Sequence, residues 1–199
     1  DVIKEEADRD YQMAAGISQD VEADDSIWEL TKARLPWLLL ALGGSFIAVN
    51  VSQSFSDAME KYKILFFFTP LIAAMAGNVG VQSSAIIVQG LANNSLTGSV
   101  WRRLMKEMLL SLFNSTILAA ILLFGTHFLM NTSYELSFTI GIALVIVMII
   151  ASLIGTFIPI LLDKYGVDPA LATGPFITTS NDIFGIFIYF TIAQFIFGF

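Results

Sequence analysis

Residues 136–162 read LSFTIGIALVIVMIIASLIGTFIPILL, 27 residues without a formal charge. A membrane helix needs about 20 apolar residues to cross a hydrocarbon core of about 30 Å, so this run is long enough to span a bilayer. Four more uncharged runs pass the same test, at 35–56, within 64–101, at 108–134 and at 170–199, the last interrupted by Asp182 alone. The sequence therefore predicts an all-α membrane protein with five transmembrane helices per subunit.

The composition agrees with a chain that contacts lipid. Of its 199 residues, 56% are hydrophobic and only 14% are charged, whereas soluble domains carry about 25% charged residues. A net charge of −7 excludes a nucleic-acid binder, which needs a basic face for phosphates. The absence of cysteine excludes a disulfide-stapled domain and thiolate zinc sites. No signal-peptide pattern precedes the first run, and we expect the chain to be a piece of a longer protein.

The acidic residues are concentrated at the N-terminus, where residues 1–34 hold ten acids and four bases. Apolar residues recur there at helical spacing, namely Ile3, Ala7, Tyr11 and Ala14. This pattern predicts a cytoplasmic amphipathic helix and an acidic linker over residues 1–33, ahead of a transmembrane pore domain over 34–199. The N-terminal segment is either a solvated connector or a regulatory element.

The basic residues predict the orientation, because lysine and arginine are retained on the cytoplasmic side. Six of them fall on one side of the predicted spans and two on the other: Lys32, Arg34, Arg102, Arg103, Lys106 and Lys164 against Lys61 and Lys63. The N-terminus is thus predicted in the cytoplasm and, since five is odd, the C-terminus outside. Five spans allow no even inverted repeat within one chain, so a pathway on a two-fold axis requires a dimer.

The second span contains small and polar residues at membrane depth. Its segment 70–90 reads PLIAAMAGNVGVQSSAIIVQG. Such residues predict a broken helix that lines a cavity, because unsatisfied backbone groups are not tolerated in lipid. Close packing between helices explains the glycines as well. It explains less well why Asn78 and Gln82, four residues apart, place two amides on one helical face.

The fifth span opens with DPALATGPFITTSNDIFG at 168–185. Pro169 suits a first helical turn, and Gly174 followed by Pro175 predicts an unwound or kinked turn that frees carbonyls to face a pathway. Thr178 lies four residues before Asp182 and Gly185 three residues after it, so these positions share one face.

Asp182 is the predicted centre of function. A carboxylate at the bilayer centre costs at least ~2.5–3.5 kcal/mol on insertion scales. The predicted spans contain no lysine or arginine, so an ionised Asp182 needs water or a cation from solution. The available ligands are oxygens, which favour magnesium or calcium over softer metals. Magnesium, which keeps several waters, suits a wide site with one or two carboxylates, and a two-fold dimer supplies two Asp182 side chains.

Other classes of function fit the sequence less well. An intramembrane aspartyl hydrolase needs two membrane carboxylates, and a serine hydrolase needs a base, whereas His127 is predicted on the opposite side from Ser83. No covalent chemistry is implied, so an enzyme is not predicted. A secondary transporter that exchanges the cation for protons or sodium through Asp182 and a non-conducting assembly subunit stay as alternatives.

Three segments resemble the MgtE family of bacterial magnesium channels: PLIAAMAGNVGVQSS at 70–84, WRRLMKE at 101–107 and DPALATGPFITTSND at 168–182. The resemblance covers essentially the whole chain. It implies a homodimer of five-helix subunits in the cell membrane, with a plug-like cytoplasmic helix leading into the first span. It also implies an N-terminal domain and a pair of CBS domains upstream, which sense cytosolic magnesium and close the pore.

The same resemblance assigns roles to single residues. A hydrated magnesium ion would lie on the two-fold axis between the two Asp182 side chains, next to the Thr178 carbonyl. Asp168 would contribute to a secondary cation site near the cytoplasmic mouth. The predicted pore lining is Gly77, Asn78, Gly174 and Gly185. The sequence thus predicts a channel that passes mainly magnesium inward, with Mg²⁺ as the transported ion and as a structural or regulatory ligand.

Overall fold

The computed structural model describes residues 11–18, 20–56, 60, 62–96 and 98–198. Over these residues the chain forms five long helices: α1 (Ile27–Ser54), α2 (Lys63–Ala92), α3 (Val100–Phe124), α4 (Tyr134–Lys164) and α5 (Pro175–Phe197). A π-helical turn, Gly125–Leu129, extends α3, and a 3₁₀ turn, Pro169–Ala172, precedes α5. Each helix is long and apolar enough to cross a membrane, which confirms the predicted five-helix architecture.

Two helices begin earlier than the uncharged runs from which they were predicted. Helix α1 starts at Ile27 instead of Leu35, because Ser26 and Glu29 form a capping box in which each side chain bonds to the other's backbone N–H. Helix α3 starts at Val100, where the Ser99 side chain accepts from Arg102 N–H. Arg102, Arg103 and Lys106, expected in a connection, therefore lie in its first two turns. A cap begins a helix wherever its hydrogen bonds form, independently of where the membrane begins.

Helix α2 is continuous from Lys63 to Ala92, so the predicted break around Gly77 is wrong. The glycines there contact neighbouring helices instead of ending the helix. The long uncharged stretch is interrupted after the helix, where Asn94 adopts a positive φ of 48° and Ser95 N–H bonds back to the Gly90 carbonyl. Glycine in a helix costs only about 1 kcal/mol, which close packing offsets.

Helix α4 is the centre of the bundle and packs against α2, α3 and α5. Helix α1 packs mainly on α5. The buried apolar core lies between α2, α4 and α5 and includes Leu65, Ile72, Ile140, Leu144, Tyr189 and Phe190. Although α2 and α3 are consecutive, they barely touch, because each is attached to α4. The fold therefore leaves a groove between α2 and α3.

Candidate functional site

The turn that starts α5 positions the candidate site. Gly174 is the N-cap residue with φ +57°, and Pro175 is the first helical residue, so the predicted interruption at this pair is confirmed. The Asp168 carboxylate caps the preceding 3₁₀ turn by accepting from Ala170 N–H at 2.8 Å. The Gly174 carbonyl, however, accepts from both the N–H and the hydroxyl of Thr178, each at 3.0 Å. That carbonyl is bonded within α5 and is not freed for a pathway.

The structure brings Gly77, Thr178 and Asp182 together where α2 faces α5. A Cβ atom built on Gly77 would lie 3.2 Å from Thr178 Cγ2 and 3.5 Å from Asp182 Oδ1. Because Gly77 has no side chain, the backbone of α2 approaches Thr178 and the Asp182 carboxylate closely. Asp182 and Thr178 are both partly exposed, so this face of the protomer presents a carboxylate to whatever lies next to it.

Asn181 locks the helix that carries Asp182, a role that sequence reasoning missed. Its side chain is 1% exposed, and its amide donates to the Ala76 carbonyl of α2 at 3.3 Å. A Cβ atom on Gly80 would collide with that amide, and one on Gly155 of α4 would collide with the Gly80 carbonyl. The three helices thus cross at closest approach one residue from Asp182. The available signal in the sequence was the polar Asn181 four positions after the apolar Ile177, which places both on one helical face.

The remaining predicted pore positions lie elsewhere. Gly185 is buried in helix packing, since a Cβ there would lie 3.2 Å from Ala76 Cβ and 3.3 Å from Val147 Cγ1. The Asn78 and Gln82 side chains are exposed and line the groove toward α3, together with Asn114. The two amides do share a face, as predicted, but it is not the face of Gly77 that contacts Asp182.

The N-terminal segment contacts the start of α5. Residues 11–14 form a helical turn, whereas Ile3 and Ala7 of the predicted amphipathic helix lie outside the described residues. A Cβ atom on Gly174 would collide with the Ala14 carbonyl. The Ser18 N–H and hydroxyl both donate to the Ala33 carbonyl at 3.0 Å. The segment is therefore tied to α1 and lies on the turn that begins α5.

Glu107 is a further carboxylate within a candidate membrane helix, although sequence reasoning placed it in a connection. The Ser83 hydroxyl of α2 donates to its Oε1 at 2.5 Å, which joins α3 to α2 across the groove. The early start of α3 explains why this residue was missed. His127 lies in the π turn, with Nδ1 2.8 Å from the Thr132 carbonyl.

The described part of the chain holds no group of three or more His, Cys, Asp or Glu side chains that could bind a metal directly. Near Gly77 a single protomer offers the one carboxylate of Asp182. A divalent cation there would have to keep most of its own water, as magnesium does, or take a further carboxylate from a second copy.

Comparison with known proteins gives a consistent result. The family described as MgtE, divalent cation transporter, matches residues 69–192. The chain is 36% identical over 194 residues to the magnesium transporter MgtE of Bacillus subtilis (strain 168), 35% over 197 residues to that of Enterococcus faecalis, and 31% over 201 residues to that of Thermus thermophilus. These alignments cover 97–98% of this chain but only 43% of each relative.

Proposed function

Because the chain belongs to the MgtE family of divalent cation transporters, and is thus a multi-pass membrane protein, we propose that it forms the pore of a magnesium channel in the cell membrane. Asp182 attracts and holds the hydrated ion. The observation that carries this proposal is a partly exposed carboxylate facing a glycine inside a helix bundle. An acid at this depth is retained for function, because its insertion into lipid is costly.

The ion is held through its water. Thr178 and the Gly77 backbone flank the carboxylate, so the site offers oxygen atoms alone, the ligands that hard cations prefer. Magnesium dehydrates reluctantly, and a single, partly exposed carboxylate suits a hydrated ion better than a stripped one. Asp168, at the turn before α5, contributes a secondary site at the mouth. Bound Mg²⁺ also stabilises the folded protein.

The pore lies between two copies of the chain. Lipid cannot solvate the exposed part of Asp182, whereas a partner across a two-fold axis gives it a polar, water-filled surface and a second carboxylate. The chain has no cysteine, so a single Val81→Cys, one turn after Gly77 on α2, is a clean probe. We expect oxidation to link two copies through it. Failure to crosslink, with the Cys accessible, would contradict an axial α2.

Transport is directed inward, with the N-terminus in the cytoplasm. Lys32 and Arg34 in α1, and the bases that open α3, lie at the helix ends assigned to the cytoplasm by the positive-inside rule. The contact between residues 11–18 and the Gly174 turn lies at that same end. The family resemblance implies sensor domains upstream, and we infer that they act on the pore through this contact.

The test is magnesium uptake into proteoliposomes, with voltage and pH clamped and no sodium gradient. The wild-type chain is compared with Asp182→Asn and with a matched control, Asp163→Asn, which neutralises an exposed acid at the end of α4. We expect loss of flux or of selectivity for Asp182→Asn alone. Equal flux in all three would make Asp182 a structural acid. Wild-type flux that requires a proton or sodium gradient would instead support an exchanger.

A further inference from the structure

The groove between α2 and α3 contains polar side chains although it opens on the side of the bundle. It has a volume of about 280 Å³, and three amides line it among apolar residues: Asn78 and Gln82 from α2 and Asn114 from α3. Lipid tails offer such amides no hydrogen bonds. A water occupies about 30 Å³ in the liquid, so the groove has room for several.

Glu107 lies two turns before the first groove-lining residue of α3, and its partner Ser83 lies one residue after Gln82. Val79, which lines the groove, is one turn from Ser83 and accepts a hydrogen bond from the Ser83 hydroxyl at 2.9 Å. Asn114 lies two turns after Glu107 on the same stripe of α3. Between them is Ser111, 1% exposed, whose hydroxyl has no hydrogen-bond partner among the described residues. Glu107, Ser111 and Asn114 thus place three oxygen-bearing side chains along one stripe of α3.

Ser83 and Glu107 lie at a depth where lipid hydrocarbon surrounds the bundle. Helix α2 has 30 residues and is about 45 Å long. Centred on a core of about 30 Å, it places Ser83 about 7 Å inside the boundary. The group bonded to Glu107 there is a neutral hydroxyl. An ionisable residue at membrane depth calls for a charged or aqueous partner.

We propose that the α2–α3 groove binds a hydrated divalent cation in each protomer, with Glu107 as the anionic ligand and Ser83 and the groove amides contacting the ion's water. One carboxylate with neutral oxygens and retained water is the donor set that magnesium accepts. This site lies about 9 Å along α2 from Gly77, six residues at 1.5 Å each. It does not depend on Asp182 and is separate from the proposed axial pore.

The test uses Mn²⁺ as a paramagnetic probe of the Asp182→Asn protein. Because the chain has no cysteine, a nitroxide can be attached at Leu110→Cys, an exposed position three residues after Glu107. A control nitroxide at Phe128→Cys, also exposed, lies about 30 Å away along α3. We expect Mn²⁺ to broaden the first signal and not the second, and Mg²⁺ to reverse the broadening.

The deciding variant is Glu107→Gln, whose amide oxygen still accepts from Ser83 but carries no charge. We expect Mn²⁺ affinity to fall by about tenfold or more, because substitutions around a metal site typically lower metal affinity by that factor. The thermal stability of the protein should be unchanged. Arg103 lies one turn before Glu107 on α3, so Arg103→Gln, which removes a nearby positive charge, should strengthen cation binding. Unchanged broadening in Glu107→Gln, no broadening in the parent protein, or lost binding in Arg103→Gln would each overturn the proposal.

A test in the Asp182→Asn background separates this site from the pore. If Mn²⁺ still binds beside Glu107 while flux is lost, the two sites are distinct. If a cysteine at Gln82 crosslinks to a second copy and the nitroxide at position 110 senses no Mn²⁺, the groove is a subunit contact and the cation site is refuted.

Discussion

Replacing Gly80 by alanine tests whether the crossing of α2, α4 and α5 positions the Asp182 helix. The added Cβ atom would collide with the Asn181 amide and lie 2.9 Å from Ile177 Cγ2. Overpacking of this kind costs about 1–3 kcal/mol. Displacing Asn181 also removes its bond to the Ala76 carbonyl, worth about 0.5–1.5 kcal/mol. The higher helix propensity of alanine returns up to about 1 kcal/mol.

The net expectation for Gly80→Ala is a loss of about 2 kcal/mol, or roughly 4–8 °C in Tm for a chain of this size. Thermal unfolding in detergent measures it. Gly43→Ala is the matched control, because a Cβ atom there meets nothing within 4 Å. That variant should be neutral or slightly stabilising, since it gains helix propensity without a clash.

The double variant with Asn181→Ala makes the reasoning refutable. Removing the Asn181 side chain clears the space that the Gly80→Ala methyl group needs. Gly80→Ala should therefore cost far less stability in the Asn181→Ala background than in the wild type. The coupling energy between the two sites should reach about 1–3 kcal/mol, the range for residues in contact. Additive effects, within about 0.5 kcal/mol, would show that the two residues do not meet and that Asn181 does not set the rotation of α5.

Two further predictions concern the turn and the ion. Gly174→Ala forces a positive φ onto a residue with a side chain, which costs about 1–2 kcal/mol, and its methyl group displaces the Ala14 carbonyl. We expect a lower Tm and faster proteolysis of residues 11–18. An unchanged cleavage rate would contradict the contact between this segment and the Gly174 turn. Mg²⁺ at 100 times its Kd should raise wild-type stability by about 2.7 kcal/mol, measured as Tm, and by clearly less in Asp182→Asn; equal stabilisation would place the tightest ion elsewhere.

The glycines of α2 and α5 show that a sequence motif does not tell which contact each of its residues makes. The sequence predicted Gly77 and Gly185 as pore lining, and it gave the segment that holds Gly77 and Gly80 a packing interpretation as well. In the structure all three lie at close helix contacts: Gly77 against Thr178 and Asp182, Gly80 against the Asn181 amide, and Gly185 against Ala76 and Val147. The difference is the direction in which each residue points around its helix, which depends on where the partner helices cross.

The number of spans and the location of the acid followed from the sequence alone. Lipid excludes charge and unsatisfied backbone, so an uncharged run of about 20 residues has essentially one outcome. The same exclusion marked Asp182 as the candidate functional residue, and the rigid φ of Pro175 after Gly174 marked the start of α5. Each of these conclusions depends on local chemistry and the solvent.

The tertiary structure decided which residues meet. The starts of α1 and α3 depend on caps at Ser26 and Ser99, and the continuity of α2 depends on neighbours that fill the space beside its glycines. The Asn181 anchor joins α5 to α2, which are distant in sequence, and the Ser83 to Glu107 hydrogen bond joins the consecutive helices α2 and α3. Hydropathy reports how a residue interacts with its solvent, whereas these contacts depend on helix rotation and crossing, which only the packed bundle determines.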